Sequence, residues 1–348
     1  MSKNCCCQSD VPDDCCAEQA VKTVSTTLTL NDHLGAWKVR WGIGRMDYKV
    51  EPGLYAVGEP DNDSLVFVSA NYKLTFDTLR ENLAGMNCWL LILDTKGVNV
   101  WCAAGKGTFG TDELVRRIES SELSEYVSHK KLILPQLGAT GVSAHEVSRR
   151  SGYTVNYGPV RANDIKAYID AGLQATKEMR TVKFKLWDRV VLIPMELIPA
   201  LKMALPVFGV VLLANHFTAR PFDKADAAAG IGAIAAGSVL TPALLPYIPG
   251  KAFAWKGWLL GLGCTAGILN LSGKFKKGGR LLSIGSLLLF PALSSYLAMN
   301  FTGSSTYTSP SGVNREMKKS LPFIVGAGAT GAVITLGVHF FSKRGKNR

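Results

Sequence analysis

Cys102 is the residue best placed to do chemistry, and it lies in the stretch NVWCAAGK at positions 99–106. The stretch follows the apolar run WLLIL at 89–93 and precedes a segment with helical spacing. A cysteine near a helix N-terminus favours the thiolate form, and Lys106 one turn later adds positive charge. The pattern indicates either a thiolate beside a cofactor pocket or a structural cysteine in a turn.

Three small residues follow this cysteine: Ala103, Ala104 and Gly105. Their size would let a flat and bulky ligand approach the backbone closely.

A second group of cysteines lies in the polar N-terminal stretch: Cys5, Cys6, Cys7, Cys15 and Cys16. Thiolates bind soft cations, but adjacent cysteines match neither a zinc pattern nor a ferredoxin pattern. Residues 1–27 lack periodicity, which predicts a flexible tail. The tail is therefore either a trap for a soft metal cation or a segment without a specific task.

Residues 28–180 alternate short apolar runs with segments of helical spacing. The runs lie at 65–68, 89–93, 132–134 and 153–157. Continuous apolar runs are typical of parallel strands covered on both faces, so we predict a Rossmann-like α/β domain. Ligands in such domains bind at the carboxyl ends of the strands.

The chain is 47% hydrophobic and only 19% charged, which is apolar for a soluble protein, and long apolar runs dominate residues 190–341 within the half at 181–348. Four runs are long enough to cross a bilayer: 227–249, 253–272, 281–300 and 321–341. A fifth, at 190–213, is interrupted by prolines and by charged residues. This half is predicted to be an all-α transmembrane domain with four or five helices.

The net charge of +12 comes from basic residues beside these runs, at 183–189, 274–280 and 343–348. That distribution favours a membrane over a nucleic acid as the partner. The positive-inside rule favours four crossings, without 190–213, whereas run length favours five. No secretory signal is visible. We therefore expect a multi-pass protein of the inner (cytoplasmic) membrane, with its α/β domain in the cytoplasm.

The stretch at 99–106 resembles, position by position, the cap-helix signature of the mercury-methylating corrinoid proteins, the HgcA family. Other stretches are similar to loops of the corrinoid-binding domain in the large subunit of the corrinoid iron–sulfur protein of the acetyl-CoA pathway. They are LPQLGATGV at 134–142, His145-Glu146 and YGPVR at 157–161. That second family lacks both the cap cysteine and the membrane half. The first resemblance covers nearly all of the chain after the tail.

The resemblance implies a cobalamin-type corrinoid whose own base is displaced and whose cobalt is ligated from below by Cys102. It implies corrinoid-dependent methyl transfer to inorganic Hg(II), forming methylmercury, in an anaerobe. A thiolate is a strong donor, so it would help a methyl group to leave toward a soft electrophile. The protein's part is to place and tune the cofactor.

The resemblance also implies a cofactor site of these residues: Asn99, Val100, Trp101, Cys102, Ala103, Ala104, Gly105, Lys106, Ser69, Gly138, Ala139, Thr140, Gly141, Gly158 and Arg161. Within it Asn99 would set the turn that presents Cys102, and Trp101 would pack the cap against the sheet. Ser69 would hydrogen-bond the displaced base or tail of the corrin. Glycine loops at helix starts bind anions, so the loops at 138–141 and 158–161 would receive the nucleotide tail.

The implied partners are a reductant and a methyl donor. The chain has no ferredoxin cysteine spacing, so the resemblance implies a separate HgcB-like ferredoxin with two 4Fe–4S clusters. The methyl donor would be linked to methyl-folate, and the cysteines of the tail would capture Hg(II). No nucleic acid is expected.

Two other functions are compatible with the residues. One is a membrane-anchored corrinoid methyl carrier of one-carbon metabolism, with mercury as an accidental acceptor. The other is a transporter with a regulatory α/β domain, in which Cys102 is only structural. A nucleotide-binding dehydrogenase is disfavoured because no G-x-G-x-x-G follows a strand.

Overall fold

The chain divides by its internal contacts into two units. The computed structural model describes residues 21–218, 221–277 and 279–341. Within them, the first unit holds residues 21–36 and 46–181, and the second holds 37–45 and 182–341. The five cysteines predicted to lie in the tail fall outside the described residues.

The first unit is built from strands and helices in alternation. The strands are β1 (Lys22–Val24), β2 (Gly53–Val57), β3 (Val66–Ala70), β4 (Cys88–Leu93), β5 (Lys131–Leu134) and β6 (Thr154–Tyr157). The helices are α1 (Leu30–Arg40), α2 (Lys73–Asn82), α3 (Val100–Lys106), α4 (Thr111–Ser120), α5 (Leu123–Tyr126), α6 (Ala144–Ser151) and α7 (Ile165–Asp170). Two 3-10 helices span Gln136–Thr140 and Ala162–Asp164.

The strands form one sheet in the order β1-β2-β4-β3-β5-β6. Strands β3, β4, β5 and β6 are parallel, so their carboxyl ends lie at the same edge. Every residue of β3 and β4 is buried, which explains why these strands read as continuous apolar runs. The predicted fold class, an α/β domain followed by an all-α region, is confirmed.

The four strands predicted from apolar runs are parallel, as expected, and the sheet also contains β2, which runs antiparallel to β4. Strand β2 begins at Gly53, and none of the apolar runs named above predicts it. Strand β1 lies within the range 1–27 assigned to a flexible tail, and it pairs with β2 at the edge of the sheet. Strand β1 has three residues, and two of them, Lys22 and Thr23, are polar and exposed. The sequence therefore contains no apolar run at this position that would predict a strand.

Helices cover both faces of the sheet. Val66, Val68 and Ala70 of β3 face a core that includes Leu114 and Ile118 of α4. The alternate residue Phe67 faces a second core, with Phe76 and Leu79 of α2. Alternation along the strand divides one apolar run between the two cores.

A polar network fastens α1 and the segment before it to α2. Lys73 Nζ lies 2.5 Å from Asp32 Oδ1 and 2.7 Å from Asp77 Oδ2. Arg80 donates to Asp32 Oδ2 at 2.9 Å and to Asp77 Oδ1 at 2.8 Å, and also to the carbonyl of Thr27. Since each charge in the network is paired, its burial does not leave a bare ion in the protein.

This network predicts an acid-sensitive contribution to stability. Burial alone would raise the pKa of Asp32, but hydrogen bonds from Lys73 and Thr29 outweigh it and hold that pKa well below its ordinary value. A carboxyl group with a depressed folded pKa stabilises the fold above its unfolded pKa of about 4 and loses that contribution as the pH falls further.

We expect Asp32→Asn to lower the free energy of unfolding by on the order of 2 kcal/mol at pH 7. The difference from wild type should shrink between about pH 4 and pH 2. Denaturant titrations of the detergent-solubilised chain across this range would measure it. The exposed Asp112→Asn is the control, and a difference that does not change with pH would contradict the assignment.

The second unit is helical. Its elements are α8 (Leu186–Val190), α9 (Ile193–Ala214), α10 (Lys224–Ala235), a π-helical segment (Ala236–Leu240), α11 (Thr241–Leu244), α12 (Phe253–Leu271), α13 (Lys274–Lys277), α14 (Arg280–Asn300), a 3-10 turn (Phe301–Ser304) and α15 (Pro310–Phe341).

Four helical segments of this unit are long and apolar enough to cross a membrane: Leu186–Leu213, Lys224–Leu244, Arg280–Ser304 and Ser311–Phe341. These four candidate spans differ from the four that the charge rule favours. They include residues 190–213, which the charge rule sets aside, and they do not include α12, which corresponds to the apolar run 253–272. Helix α12 packs closely on α14, where Ser294 Oγ donates to the carbonyl of Gly257 at 2.7 Å. The number of crossings stays a prediction.

Candidate functional site

The candidate site lies where the parallel strands end. Helix α3 follows β4 after a short loop, and its buried residues Val100, Ala103 and Ala104 join the core on the α4 face of the sheet. The 3-10 helix Gln136–Thr140 follows β5 and packs beside α3. The stretch with Cys102 and the loop after β5 thus come together at this edge.

Local sequence explains both ends of α3. Asn99 caps its start, since the Asn99 side chain accepts a hydrogen bond from the backbone N–H of Cys102 at 2.9 Å. Gly107 ends it with a φ of 82°, a left-handed conformation that favours glycine. Helix α3 is therefore a separate seven-residue element with a defined beginning and end.

The two faces of α3 differ in exposure. Val100 and Ala103 are buried against the sheet, whereas Trp101 is 37% exposed and Gly105 is exposed. Cys102 is partly exposed, and helical spacing places it beside Gly105. Among the described residues, no atom from outside α3 lies within 4 Å of a Cβ built at Gly105, so the space beside this face is open in that part of the chain.

The expectation that Trp101 packs the cap against the sheet was wrong. Helical spacing places Val100 on the sheet side and turns Trp101 outward. The indole is therefore available to contact a ligand lying over α3.

Asn71, directly after β3, organises the loop that leads into α3. Its Oδ1 accepts hydrogen bonds from Thr95 N at 3.1 Å, from Thr95 Oγ1 at 2.9 Å and from Gly97 N at 3.0 Å. Its Nδ2 donates to Asp94 Oδ1 at 3.2 Å. Thr95 Oγ1 in turn donates to the carbonyl of Val98 at 2.6 Å. One buried amide thus holds the loop from the end of β4 almost to Asn99.

Glu113 of α4 holds the start of the same loop. Its Oε1 accepts from the backbone N–H of Asp94 at 2.8 Å and from Arg117 Nη2 at 2.9 Å. Burial alone would raise the pKa of Glu113, but these hydrogen bonds and those from Arg116 keep it below its ordinary value. Glu113 is therefore ionised at neutral pH.

Sequence reasoning missed both Asn71 and Glu113 as parts of the site. Asn71 had a usable signal, since it is a polar amide that directly follows an apolar strand at the ligand-binding edge. Glu113 had none, because it resembles any acidic residue in the first turn of a helix.

Close packing accounts for the glycines of the loop after β5. A Cβ at Gly141 would lie 2.2 Å from the carbonyl oxygen of Phe109 and 2.9 Å from Ala104 Cα. A Cβ at Gly138 would lie 2.6 Å from the ring of Phe109. These glycines let the loop approach α3 and the turn after it, whereas Ala139 and Thr140 between them are partly or fully exposed.

Not every residue predicted for the site lies beside Cys102. Ser69 is 3% exposed, and strand alternation places it on the same face as Phe67, opposite to α3. A Cβ at Gly158 would contact Ile133 and Tyr168, which belong to that same second core. Arg161 is exposed just before the second 3-10 helix.

The described cysteines differ in their surroundings. Burial raises the pKa of the Cys88 thiol in β4 to about 12, so this thiol stays protonated at neutral pH. Cys264 lies in α12 of the helical unit. Of these three cysteines, Cys102 alone lies at the carboxyl edge of the sheet and is partly exposed.

We expect Asn99→Ala to loosen α3 without unfolding the unit. Loss of an N-cap costs about 1 kcal/mol, which corresponds to a roughly fivefold faster opening of the first helical turn. Hydrogen exchange at the amides of residues 100–103 would detect it. Ser143→Ala removes the equivalent cap of α6 and should leave these amides unchanged. Equal exchange in both variants would contradict the capping role.

Comparison with known proteins finds similarity in the α/β unit. Residues 43–169 match the family described as CdhD, CO dehydrogenase/acetyl-CoA synthase delta subunit. The acetyl-CoA decarbonylase/synthase complex subunit gamma of Archaeoglobus fulgidus is 33% identical over 128 residues, which are 36% of this chain and 27% of that protein.

Subunits of the same name in two other archaea are similar over a comparable stretch. That of Methanopyrus kandleri is 30% identical over 36% of this chain and 27% of its own length. That of Methanocaldococcus jannaschii is 35% identical over 32% of this chain and 22% of its own length. The chain spans about a quarter of the length of these relatives. The α/β unit that carries Cys102 is thus similar to part of the subunits of an acetyl-CoA decarbonylase/synthase complex. The family match ends at residue 169, before the long helices that follow residue 181.

Proposed function

We propose that this chain is a membrane-anchored corrinoid protein that carries a methyl group, with the Cys102 thiolate as the lower axial ligand of the cobalt. The observation that carries the proposal is the position of Cys102, partly exposed on a capped helix at the carboxyl edge of a parallel sheet. Similarity of residues 43–169 to acetyl-CoA synthase subunits supports the cofactor class.

The residues present fit such a group. Cys102 offers one soft donor, which suits a metal that a macrocycle already surrounds on its other sides. The open space beside Gly105 and the outward indole of Trp101 would accommodate a flat ring over α3. When bound, a corrinoid supplies a cobalt centre that accepts a methyl group and releases it to an acceptor.

The chain's own residues would position the donor sulfur. Asn99 fixes the first turn of α3, and the buried Val100 and Ala103 hold the helix against the sheet. Asn71 and Glu113 hold the preceding loop by hydrogen bonds, so they restrain the position of Cys102 at the edge of the sheet. Such support is what keeps a ligand within its productive geometry.

We further propose inorganic Hg(II) as the methyl acceptor, with methylmercury as the product. The resemblance of NVWCAAGK to the cap of the mercury-methylating proteins supports this acceptor, because a thiolate donor favours transfer to a soft electrophile. The same proposal includes a ferredoxin with two 4Fe–4S clusters as reductant and a methyl donor linked to methyl-folate. It places the α/β unit on the cytoplasmic side of the inner membrane.

A methyl carrier of one-carbon metabolism is the second candidate. The named relatives are subunits of acetyl-CoA decarbonylase/synthase complexes, and they favour this candidate directly. Both candidates use the same corrinoid and the same cysteine, and they differ in the acceptor.

A transfer assay separates the two acceptors. The full chain in detergent would be loaded with methylcobalamin and offered Hg(II), or a nickel acetyl-CoA synthase with CO and coenzyme A. Methylmercury formation faster than that of free methylcobalamin would support the mercury proposal. Transfer to the synthase alone would favour the second candidate, and failure to bind corrinoid would reject both.

The five cysteines of the N-terminal stretch provide a further prediction. If they capture Hg(II), replacing all five by serine should lower methylmercury formation at limiting Hg(II) and leave it unchanged at saturating Hg(II), because only delivery is impaired. Initial rates at both concentrations would measure this. If the variant forms methylmercury at the wild-type rate at limiting Hg(II), these cysteines do not capture Hg(II) for the reaction.

A further inference from the structure

Helix α1 carries an apolar stripe that faces solvent. Leu30, Leu34, Trp37 and Trp41 follow one another at spacings of four, three and four residues, which align on one side of a helix. Leu30 is 73% exposed, Leu34 46% and Trp37 56%. The Trp37 and Trp41 rings pair with centroids 5.8 Å apart. Exposed leucine and tryptophan in one row is unusual for a solvated helix surface.

The opposite side of α1 is firmly held, so the stripe does not result from a loose helix. Asp32 binds Lys73 and Arg80 of α2. A Cβ at Gly35 would lie 2.6 Å from the Tyr48 hydroxyl, which shows how closely that side chain approaches the helix. Val39 is 2% exposed. Asp32, Gly35 and Val39 thus lie on the side of α1 that contacts the protein, and the Leu and Trp stripe lies on the other side.

Basic residues accompany the stripe, and its carboxyl half groups with the helical unit. Residues 37–45 belong to that unit by their contacts. Arg45 contacts the sulfur of Met195, within the candidate span Leu186–Leu213. Lys38 is exposed, and Ile43 after the helix is 58% exposed. Tryptophan and leucine beside lysine and arginine are typical of segments that lie in the interface between bilayer and water.

We propose that α1 and the residues up to Ile43 form an interfacial membrane-binding helix. Its Leu and Trp stripe lies among the headgroups and upper acyl chains of one leaflet, and its basic residues favour anionic lipids. This proposal rests on the membrane anchoring proposed above. A lipid surface explains the stripe better than a second copy of the chain does, because a second copy would bring the same basic residues face to face.

Quenching of tryptophan fluorescence by brominated lipids tests the proposal. The full chain would be reconstituted in phosphatidylcholine and phosphatidylglycerol vesicles, with bromines either near the headgroup or near the chain ends. Subtracting the fluorescence of the Trp37→Phe/Trp41→Phe variant from that of wild type gives the contribution of these two tryptophans. The same subtraction with Trp101→Phe gives the contribution of an exposed tryptophan in α3, which is the control.

We expect the fluorescence assigned to Trp37 and Trp41 to fall about twofold with the headgroup-proximal bromines and less with the deep ones, as for an interfacial helix. The fluorescence assigned to Trp101 should not fall. A second variant, Leu30→Glu/Leu34→Glu, keeps both reporters at exposed positions and should abolish their quenching.

Two results would overturn the inference. If Trp37 and Trp41 escape quenching while Trp255 and Trp258 of α12 are quenched by deep bromines, the protein is in the membrane but the stripe is covered by something else. A second copy or another protein would then be its occupant. If no tryptophan is quenched by any brominated lipid, both the inference and the membrane anchoring fail.

Discussion

Replacing Cys102 by alanine is expected to abolish thiolate ligation of the bound corrinoid and to lower methyl transfer by at least about 100-fold, since even outer-shell changes at metal sites cost about 10- to 100-fold. The physical reason is the loss of the one sulfur donor that α3 presents at the sheet edge. The fold itself should persist, because Cys102 is partly exposed and its neighbours Val100 and Ala103 supply the packing of α3.

The visible spectrum of the full chain with methylcobalamin measures the first effect. Wild type should show a base-off, thiolate-ligated spectrum, and Cys102→Ala should show a base-off spectrum without the thiolate contribution. Cys264→Ala is the matched control, because Cys264 is also partly exposed but lies in α12. Identical spectra for wild type and Cys102→Ala would show that the sulfur of Cys102 does not ligate the cobalt and would favour a structural role for this cysteine.

Replacing Gly141 by alanine is expected to have the second largest effect. The added Cβ would lie 2.2 Å from the Phe109 carbonyl oxygen and 2.9 Å from Ala104 Cα, and both are backbone atoms. Backbone cannot rotate away as a flexible side chain can, so either the loop or α3 must shift. Overpacking of this kind costs about 1–3 kcal/mol, and we expect the upper end of that range. Displacement of α3 should also weaken corrinoid binding by about tenfold or more.

Gly105→Ala provides the contrast, since a Cβ there meets no other described segment of the chain within 4 Å. Alanine in a helix interior is more favourable than glycine by about 0.5–1 kcal/mol, so this variant should be at least as stable as wild type. If a corrin ring lies over this face, corrinoid binding should nevertheless weaken. Thermal unfolding and equilibrium binding of methylcobalamin would measure both quantities. Corrinoid binding that is unchanged in Gly105→Ala would place the ring away from the face of α3 that carries Gly105.

The order of strands and helices from β3 onward is predictable from the sequence. Strands β3, β4 and β5 are short continuous apolar runs, and the helices between them show a period near 3.6 residues. These signals are local, because each segment must bury its own apolar side chains. Parallel strands then place the segments after them at one edge, and this is why the location of Cys102 follows from the sequence as well.

The long apolar helices of the second half are equally local. Their length and composition predict spans without knowledge of their packing. The choice among them stays a prediction, because the charge rule sets aside 190–213, whereas its length and hydropathy retain it, and α12 is not among the candidate spans. Helix α12 instead has close partners on α14, among them Ser294 at Gly257.

By itself, the sequence determined the class of each half and the edge of the sheet on which Cys102 lies, because turns and apolar periodicity act over a few residues. It placed the stretch at 99–106 before a helix, whereas the structure places Cys102 within the short helix α3. Only the tertiary structure decided what depends on distant partners. It decided the antiparallel direction of β2 and the hold of Asn71 on the loop before α3. It also decided the exposure of the α1 stripe. Each of these is set by contacts between segments far apart in the chain, which no local pattern records.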